Sequence, residues 1–152
     1  MKNSPSSASS PNNPVPPPLP SVPIDVEGRV RYSEVDRMGI AHNKNYFEWF
    51  EIARTEFCRW KGLPYAEIEA RGFFLVVAES SCRYQKPLHY DEVFVVQVRL
   101  EEASPRKFVF AYAILAGEGR LEAASGRTVH VVVDANGSVV SLPQDLLDRL
   151  LA

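Results

Sequence analysis

Asp36 is a lone acid set between a strand-like run and a helix-like run, in the stretch Tyr32-Ser-Glu-Val-Asp36-Arg-Met-Gly39-Ile-Ala-His42-Asn43-Lys-Asn-Tyr46. The spacing Asp36-x-x-Gly39 reads as a tight connection, because glycine enters backbone conformations that other residues resist and aspartate bonds its own backbone in turns. The helix expected next directs its unpaired N–H groups back toward that connection. Such an end favours negative charge. A carbonyl held over it would have its developing oxyanion stabilised while Asp36 acted beside it, on a water or on the carbonyl carbon. These residues outline a site for acyl transfer.

Other side chains could join that chemistry. His42 and Asn43 stand at the helix mouth, and His42 reads equally as a polar contact or a cap. Tyr32, four residues before Asp36, could face an acyl pocket, although a tyrosine beside a strand also serves as core or interface. Glu51 and Arg54 share the helix at a spacing that suits an ion pair, favoured over direct chemistry by Glu51. Lys86, Arg83 and Arg127 are candidates to meet a phosphorylated ligand, against the commoner fate of a solvated surface base. His89 and His130 are isolated and read as structural; no pair of histidines has metal-ligand spacing with a supporting acid, so no metal is expected. Cys58 and Cys82 read as reduced, buried thiols, neither a disulfide nor part of a Cys–His nucleophile with His42 or His89.

The elements that must position these residues follow from pattern. The chain has 152 residues, 45% of them hydrophobic, and a formal charge of −2. That suits one domain with its own core and argues against a nucleic-acid binder. No apolar run reaches membrane-spanning length, and a cytoplasmic location is expected. Residues 1–23 hold eight of the twelve prolines, with serine and asparagine between them, and read as a disordered or polyproline-like tail. The domain is placed at 24–152, with a first strand at Gly28–Glu34. Asn43 or Asn45 is the expected helix cap, Asn45 and Glu48 having capping-box spacing. The helix should run to about Lys61 and stop at Gly62, with Tyr46, Trp49, Phe50, Ala53, Phe57 and Trp60 on its apolar face. A short helix at Tyr65–Arg71 and strands at Phe73–Tyr84, Val93–Glu101, Phe108–Ile114 and Leu121–Val133 follow. A terminal helix at Leu142–Leu150 comes after the Asp134–Gly137 turn. The expectation is an α+β domain: about five antiparallel strands, the last four in a meander, wrapped around one long helix.

From Arg29 to about Asp134 the chain resembles the hotdog-fold acyl-CoA thioesterases of the 4-hydroxybenzoyl-CoA thioesterase family. The resemblance rests on Tyr32, Asp36-x-x-Gly39, His42-Asn43-x-x-Tyr46, Glu51-x-x-Arg54, and the block Lys86-Pro87 with Tyr90-Asp91-Glu92. It implies a thioester of coenzyme A, or of acyl carrier protein, as substrate, with CoA part of the substrate and no cofactor. It also implies a homodimer joined sheet edge to sheet edge, or a homotetramer, with sites at the subunit interface. Asp36 would be nucleophile or general base, with Asn43 and His42 at the carbonyl and Tyr32, Gly39, Tyr46, Glu51, Lys86 and Arg127 around the substrate. Many members place a histidine seven residues after the aspartate, where this chain has Asn43; its His42 comes one earlier. Two further readings accompany the leading one: an aryl-CoA hydrolase for hydroxybenzoyl-like or naphthoyl-like esters, and a non-catalytic acyl-CoA or acyl-carrier binding protein on the same fold.

Overall fold

The computed structural model describes residues 21–152. The expected tail therefore lies outside the described residues as far as residue 20. Ser21 is already tied to the domain: its N–H donates to the Leu100 carbonyl and its Oγ accepts from the Leu100 N–H, both at 2.9 Å.

The strands are β1 Ile24–Arg29, β2 Phe74–Tyr84, β3 Val93–Ala103, β4 Lys107–Ala116 and β5 Leu121–Val133; the helices are α1 Asn45–Trp60, α2 Tyr65–Ala70 and α3 Gln144–Leu151. All strand pairs are antiparallel, in the order β1-β3-β4-β5-β2. The hotdog architecture expected from the sequence is the one observed, with a correction to the path. Only β3, β4 and β5 form a meander; β2 pairs with β5 at the far edge and not with its sequence neighbour β3. The reason lies in α1, which joins β1 to β2. A 16-residue helix is about 24 Å long, close to the width of five strands spaced about 4.8 Å apart. Lying across the sheet, it touches both β1 and β2 and delivers the chain to the opposite edge. Residues 85–92 then carry the chain back, a connection too long for a tight hairpin.

The first strand also differs from expectation. It ends at Arg29, opposite Val93, and Tyr32–Glu34 form a single 3-10 turn. The Glu34 carboxylate accepts the Arg31 N–H at 2.7 Å and so curls residues that alternation alone would leave extended.

Tyr46, Trp49, Phe50, Ala53 and Phe57 of α1 are buried, as their spacing requires, whereas Trp60 in the last turn is 57% exposed beneath the Lys61 ammonium. Phe50 stacks on Tyr112 with ring centroids 4.3 Å apart. It also lies flat on Gly126, where a Cβ would come within 2.2 Å of the ring; only glycine lets helix and sheet approach this closely. Between α1 and the sheet runs a chain of buried polar groups. Tyr112 Oη lies 2.6 Å from Thr128 Oγ1, which lies 2.8 Å from His130 Nε2. Arg54 is turned into the core beside Tyr112 and Tyr65. At the other end, α3 buries Leu146, Leu147 and Leu150 and is tied to α2 by the pairs Arg149–Glu67 at 2.6 Å and Arg71–Asp145 at 2.5 Å. No helix among the described residues is long and apolar enough to cross a membrane.

His130 has no solvent exposure, and burial, with the Arg54 guanidinium second, pushes its pKa from 6.5 down to about 4. The unfolded chain therefore takes up a proton on this histidine at a higher pH than the folded one does. Its contribution to stability is complete above pH 6.5 and is lost as pH falls toward 4. Denaturant melts at pH 7 and pH 5 should differ by about 2 kcal/mol on this account, and in His130→Gln that difference should shrink.

Candidate active site

The loop after the 3-10 turn is closed by Asp36 itself. Its Oδ1 accepts the N–H groups of Met38 at 2.8 Å and Ile40 at 3.2 Å, and its backbone exchanges bonds with Gly39 and Ile40. Gly39 supplies the left-handed residue, at φ +75°. The loop is pinned to the crossing segment from β2: the Ala41 N–H donates to the Leu88 carbonyl and the Tyr90 N–H to the Gly39 carbonyl, at 2.8 and 2.9 Å. Asp36 is thus a turn residue with a spare oxygen. Oδ2 has no hydrogen-bond partner among the described residues, and the side chain is exposed.

The helix start is built differently from the expected cap. Neither Asn43 nor Asn45 caps α1; Lys44 holds that position, with no side-chain bond. Asn45 is the first helical residue, buried, and its Nδ2 donates to the carbonyls of Glu34 at 2.7 Å and His42 at 3.0 Å. An amide so placed stitches the helix to the strand exit and leaves no oxygen pointing along the helix axis to cap it. The expected pair of N–H groups divides. The His42 N–H donates to the Glu34 carbonyl at 2.8 Å, while the Asn43 N–H makes no hydrogen bond among the described residues. The exposed His42 ring caps the turn by accepting the Lys44 N–H on Nδ1 at 3.3 Å.

Two openings flank this loop. Tyr32, Asp36 and Gly39 line one of about 540 Å³ together with Tyr90. Asn43, Tyr46 and Lys86 line the other, of about 310 Å³, with Tyr84, Ile40 and Pro87. Both have edge-to-face tyrosine pairs: Tyr32 with Tyr90 at 5.7 Å, and Tyr46 with Tyr84 at 4.8 Å. Tyr84 Oη donates to the Asn43 carbonyl at 3.2 Å; burial and the neighbouring Cys82 push its pKa up to about 12, so it stays a neutral donor. Burial likewise pushes Cys58 up to about 12 and raises Cys82, which keeps both as thiols.

The remaining candidates lie elsewhere. Glu51 is exposed on α1 and does not form the ion pair expected with Arg54, which points into the core while Glu51 points away. Arg127 is on the outer face of the sheet, bonded to Glu101 at 2.8 Å and facing Glu102 at 3.5 Å. His89 is exposed beside Glu92. Among the described residues no three His, Cys, Asp or Glu side chains gather as metal ligands. Glu34 and Tyr84 shape the site without having been singled out from the sequence, where Asn45 reads as a cap and Tyr90 as part of a family motif. The local signal was slight, since an acid or amide near a helix start reads as a surface cap until its partner is known.

Residues 30–150 match the family described as the thioesterase-like superfamily. A relative from Bacillus subtilis (strain 168), named "Putative acyl-CoA thioesterase YneP", is 38% identical over 110 residues, 71% of this chain and 78% of its own length. A solved structure of a hypothetical protein from Aquifex aeolicus superposes with a TM-score of 0.78 at 41% identity, over 84% of this chain and 99% of that one. The DHNA-CoA thioesterase from Staphylococcus aureus superposes with a TM-score of 0.76 at 28% identity, over 80% and 81%. The chain belongs to the thioesterase-like superfamily.

Because Asn45 ties two carbonyls across the loop, Asn45→Ala should cost about 1–3 kcal/mol. Lys44→Ala, at a cap that makes no side-chain bond, should leave the denaturation midpoint nearly unchanged in the same urea titration.

Proposed function

We propose that the chain hydrolyses the thioester bond of an acyl-CoA, giving a free acid and CoA, at the loop between Asp36 and Asn43. One observation carries the reading: a single short loop presents an exposed carboxylate with one oxygen held and one free, and a helix-end N–H with no partner. The thioester carbonyl would accept the Asn43 N–H, and Asp36 Oδ2 would attack the carbonyl carbon or take a proton from the water that does. Addition of water gives a tetrahedral oxyanion whose collapse breaks the C–S bond and releases CoA, the thiolate taking the proton that Asp36 holds. Addition of Asp36 itself leaves, after the same collapse, an acyl anhydride that water hydrolyses to the free acid and the regenerated carboxylate. A preorganised oxyanion donor is worth about 3–4 kcal/mol of barrier. The reaction so drawn consumes only water and calls on no metal or redox cofactor.

Tyr32, Gly39, Tyr46 and Lys86 would surround the substrate, with His42 shaping the turn. The tyrosine pairs in both openings favour a second reading in which the acyl group is aromatic, because flat rings pack edge-to-face against such pairs. The DHNA-CoA thioesterase among the similar structures supports that reading. The two unpaired cysteines accord with a reducing cytoplasm.

The oligomer follows from β2. It is an edge strand of 11 residues, bonded among the described residues only to β5 and exposed along most of its length, with Val76, Val77 and Tyr84 uncovered. A long uncovered edge is a template for another strand, so we assign β2 as the seam of a homodimer or of the dimers within a homotetramer. Light scattering should give two or four times the chain mass; a clean monomer would count against the seam.

The direct test is release of free CoA thiol from a panel of aliphatic and aromatic CoA esters, with an acyl carrier protein thioester beside them. Asp36→Asn should lower the rate on the preferred ester by about 10²–10⁴-fold, and Glu51→Gln should leave it near the native value. A native protein that binds these esters and turns none over would instead be a binding module.

A further inference from the structure

The loop that carries Asp36 is latched at its base by one residue not named in the chemistry above. Glu34 is 3% exposed, and four hydrogen bonds converge on it. Its Oε1 accepts the Arg31 N–H at 2.7 Å and faces the Arg31 guanidinium at 3.3 Å; its Oε2 accepts Trp49 Nε1–H at 2.9 Å. Its backbone carbonyl accepts both the His42 N–H at 2.8 Å and Asn45 Nδ2 at 2.7 Å. The partners are the strand exit, the second turn of α1 and the helix mouth, the three segments whose relative placement fixes where Asp36 and Asn43 point. We propose that Glu34 is a positioning residue for thioester hydrolysis, holding the Asp36 carboxylate and the free Asn43 N–H in register through its bonds to Arg31, Trp49, His42 and Asn45.

This rests on the reading of Asp36 and Asn43 given above, and three features argue for it. First, the Glu34 carbonyl takes up the His42 N–H, while the neighbouring Asn43 N–H makes no hydrogen bond among the described residues. Second, residues 34–42 form a closed loop: the His42 N–H returns to Glu34, Val35 bridges Ala41, and Asp36 pairs with Ile40 just below the tip. Loosening the base moves the tip relative to the helix. Third, a fully enclosed carboxylate is an expensive filler. It borders a cleft of about 310 Å³ lined by Val26, Trp49, Ile52 and Phe94 together with the charged Glu27, Arg29, Arg31 and Glu48. The acid earns its place through geometry, since it accepts donors from two elements at once.

The test uses the full chain. Glu34→Gln keeps the size but turns an amide N–H toward a donor, losing one of the two carboxylate bonds. With the preferred thioester, kcat should fall about 10–100-fold with KM changed less than about threefold, as expected when reacting groups are displaced by less than about 1 Å. Hydrogen exchange at the Met38 and Ile40 amides, the two held by Asp36, should quicken by about tenfold or more while the β3 and β4 amides keep their protection. Glu34→Asp, one methylene short, should recover neither. If Glu34→Gln does not fold, Trp49→Phe removes the single indole donor and should show the same pattern at about 3–10-fold. Unchanged kcat, or a uniform rise in exchange across the whole domain, would overturn the proposal. Asp36→Asn separates the two layers: if it is fully active the site itself is misread, whereas if it is inactive and Glu34→Gln is native-like, only the role of Glu34 fails. Should the native chain turn over no thioester, the role of Glu34 in hydrolysis falls with the site, and exchange at Met38 and Ile40 then reports only whether Glu34 holds the loop.

Discussion

One helix and one sheet supply almost all of each other's cover, and the remaining features of the domain answer to that constraint. The aromatic stripe of α1 has a single layer of strands to bury against. It does so at close range, with Phe50 on Gly126 and Tyr112, Trp49 against Phe94, and Phe57 against Phe110. Because α1 crosses the sheet, β1 and β2 are driven to opposite edges, the crossing segment 85–92 must return over the loop, and the loop acquires partners at Leu88, His89 and Tyr90. The candidate site lies where the entry to the helix and the return of the chain meet.

That arrangement also explains why the site is polar at its mouth and rigid at its base. A helix start leaves N–H groups unpaired, and here most find internal partners: His42 on Glu34, Asn45 on His42, Tyr46 on Asn43 and Lys44 on the His42 ring. The Asn43 N–H, without a partner among the described residues, belongs to the same loop as Asp36. A buried acid and a buried amide, Glu34 and Asn45, take the place that a capping side chain would fill, and they tie the helix to the strand that precedes it. The base of the candidate site is therefore made by the same residues that fasten α1 to the strand exit.

The core has its own polar spine, Arg54, Tyr112, Thr128 and His130, running from the helix across the two central strands. It holds an always-charged guanidinium near a histidine that stays neutral, and it links α1 to β5, the strand on which β2 rests. A register shift between α1 and the sheet would break this chain as well as the aromatic contacts. Helix, central strands and edge are thereby held in one alignment.

The amino-acid sequence by itself determined what local periodicity and turn chemistry can encode. The stripe Tyr46, Trp49, Phe50, Ala53 and Phe57 marks the face α1 buries; the alternation in β3 marks its inward side; Asp36-x-x-Gly39 marks the turn; the ordered motifs mark the family. Tertiary structure alone decided which strand β2 would join, because the choice depends on where a helix of fixed length sets the chain down. It decided that β1 ends at Arg29, since the bond that curls the next residues depends on a Glu34 enclosed by Trp49 from 15 residues away. It sent Arg54 inward and Glu51 outward, though helical spacing allows them to pair. It also gave Asn45 two carbonyls in place of a cap. Each of these is a partnership between groups distant in sequence, and a buried polar side chain declares its role only once its partner is in place.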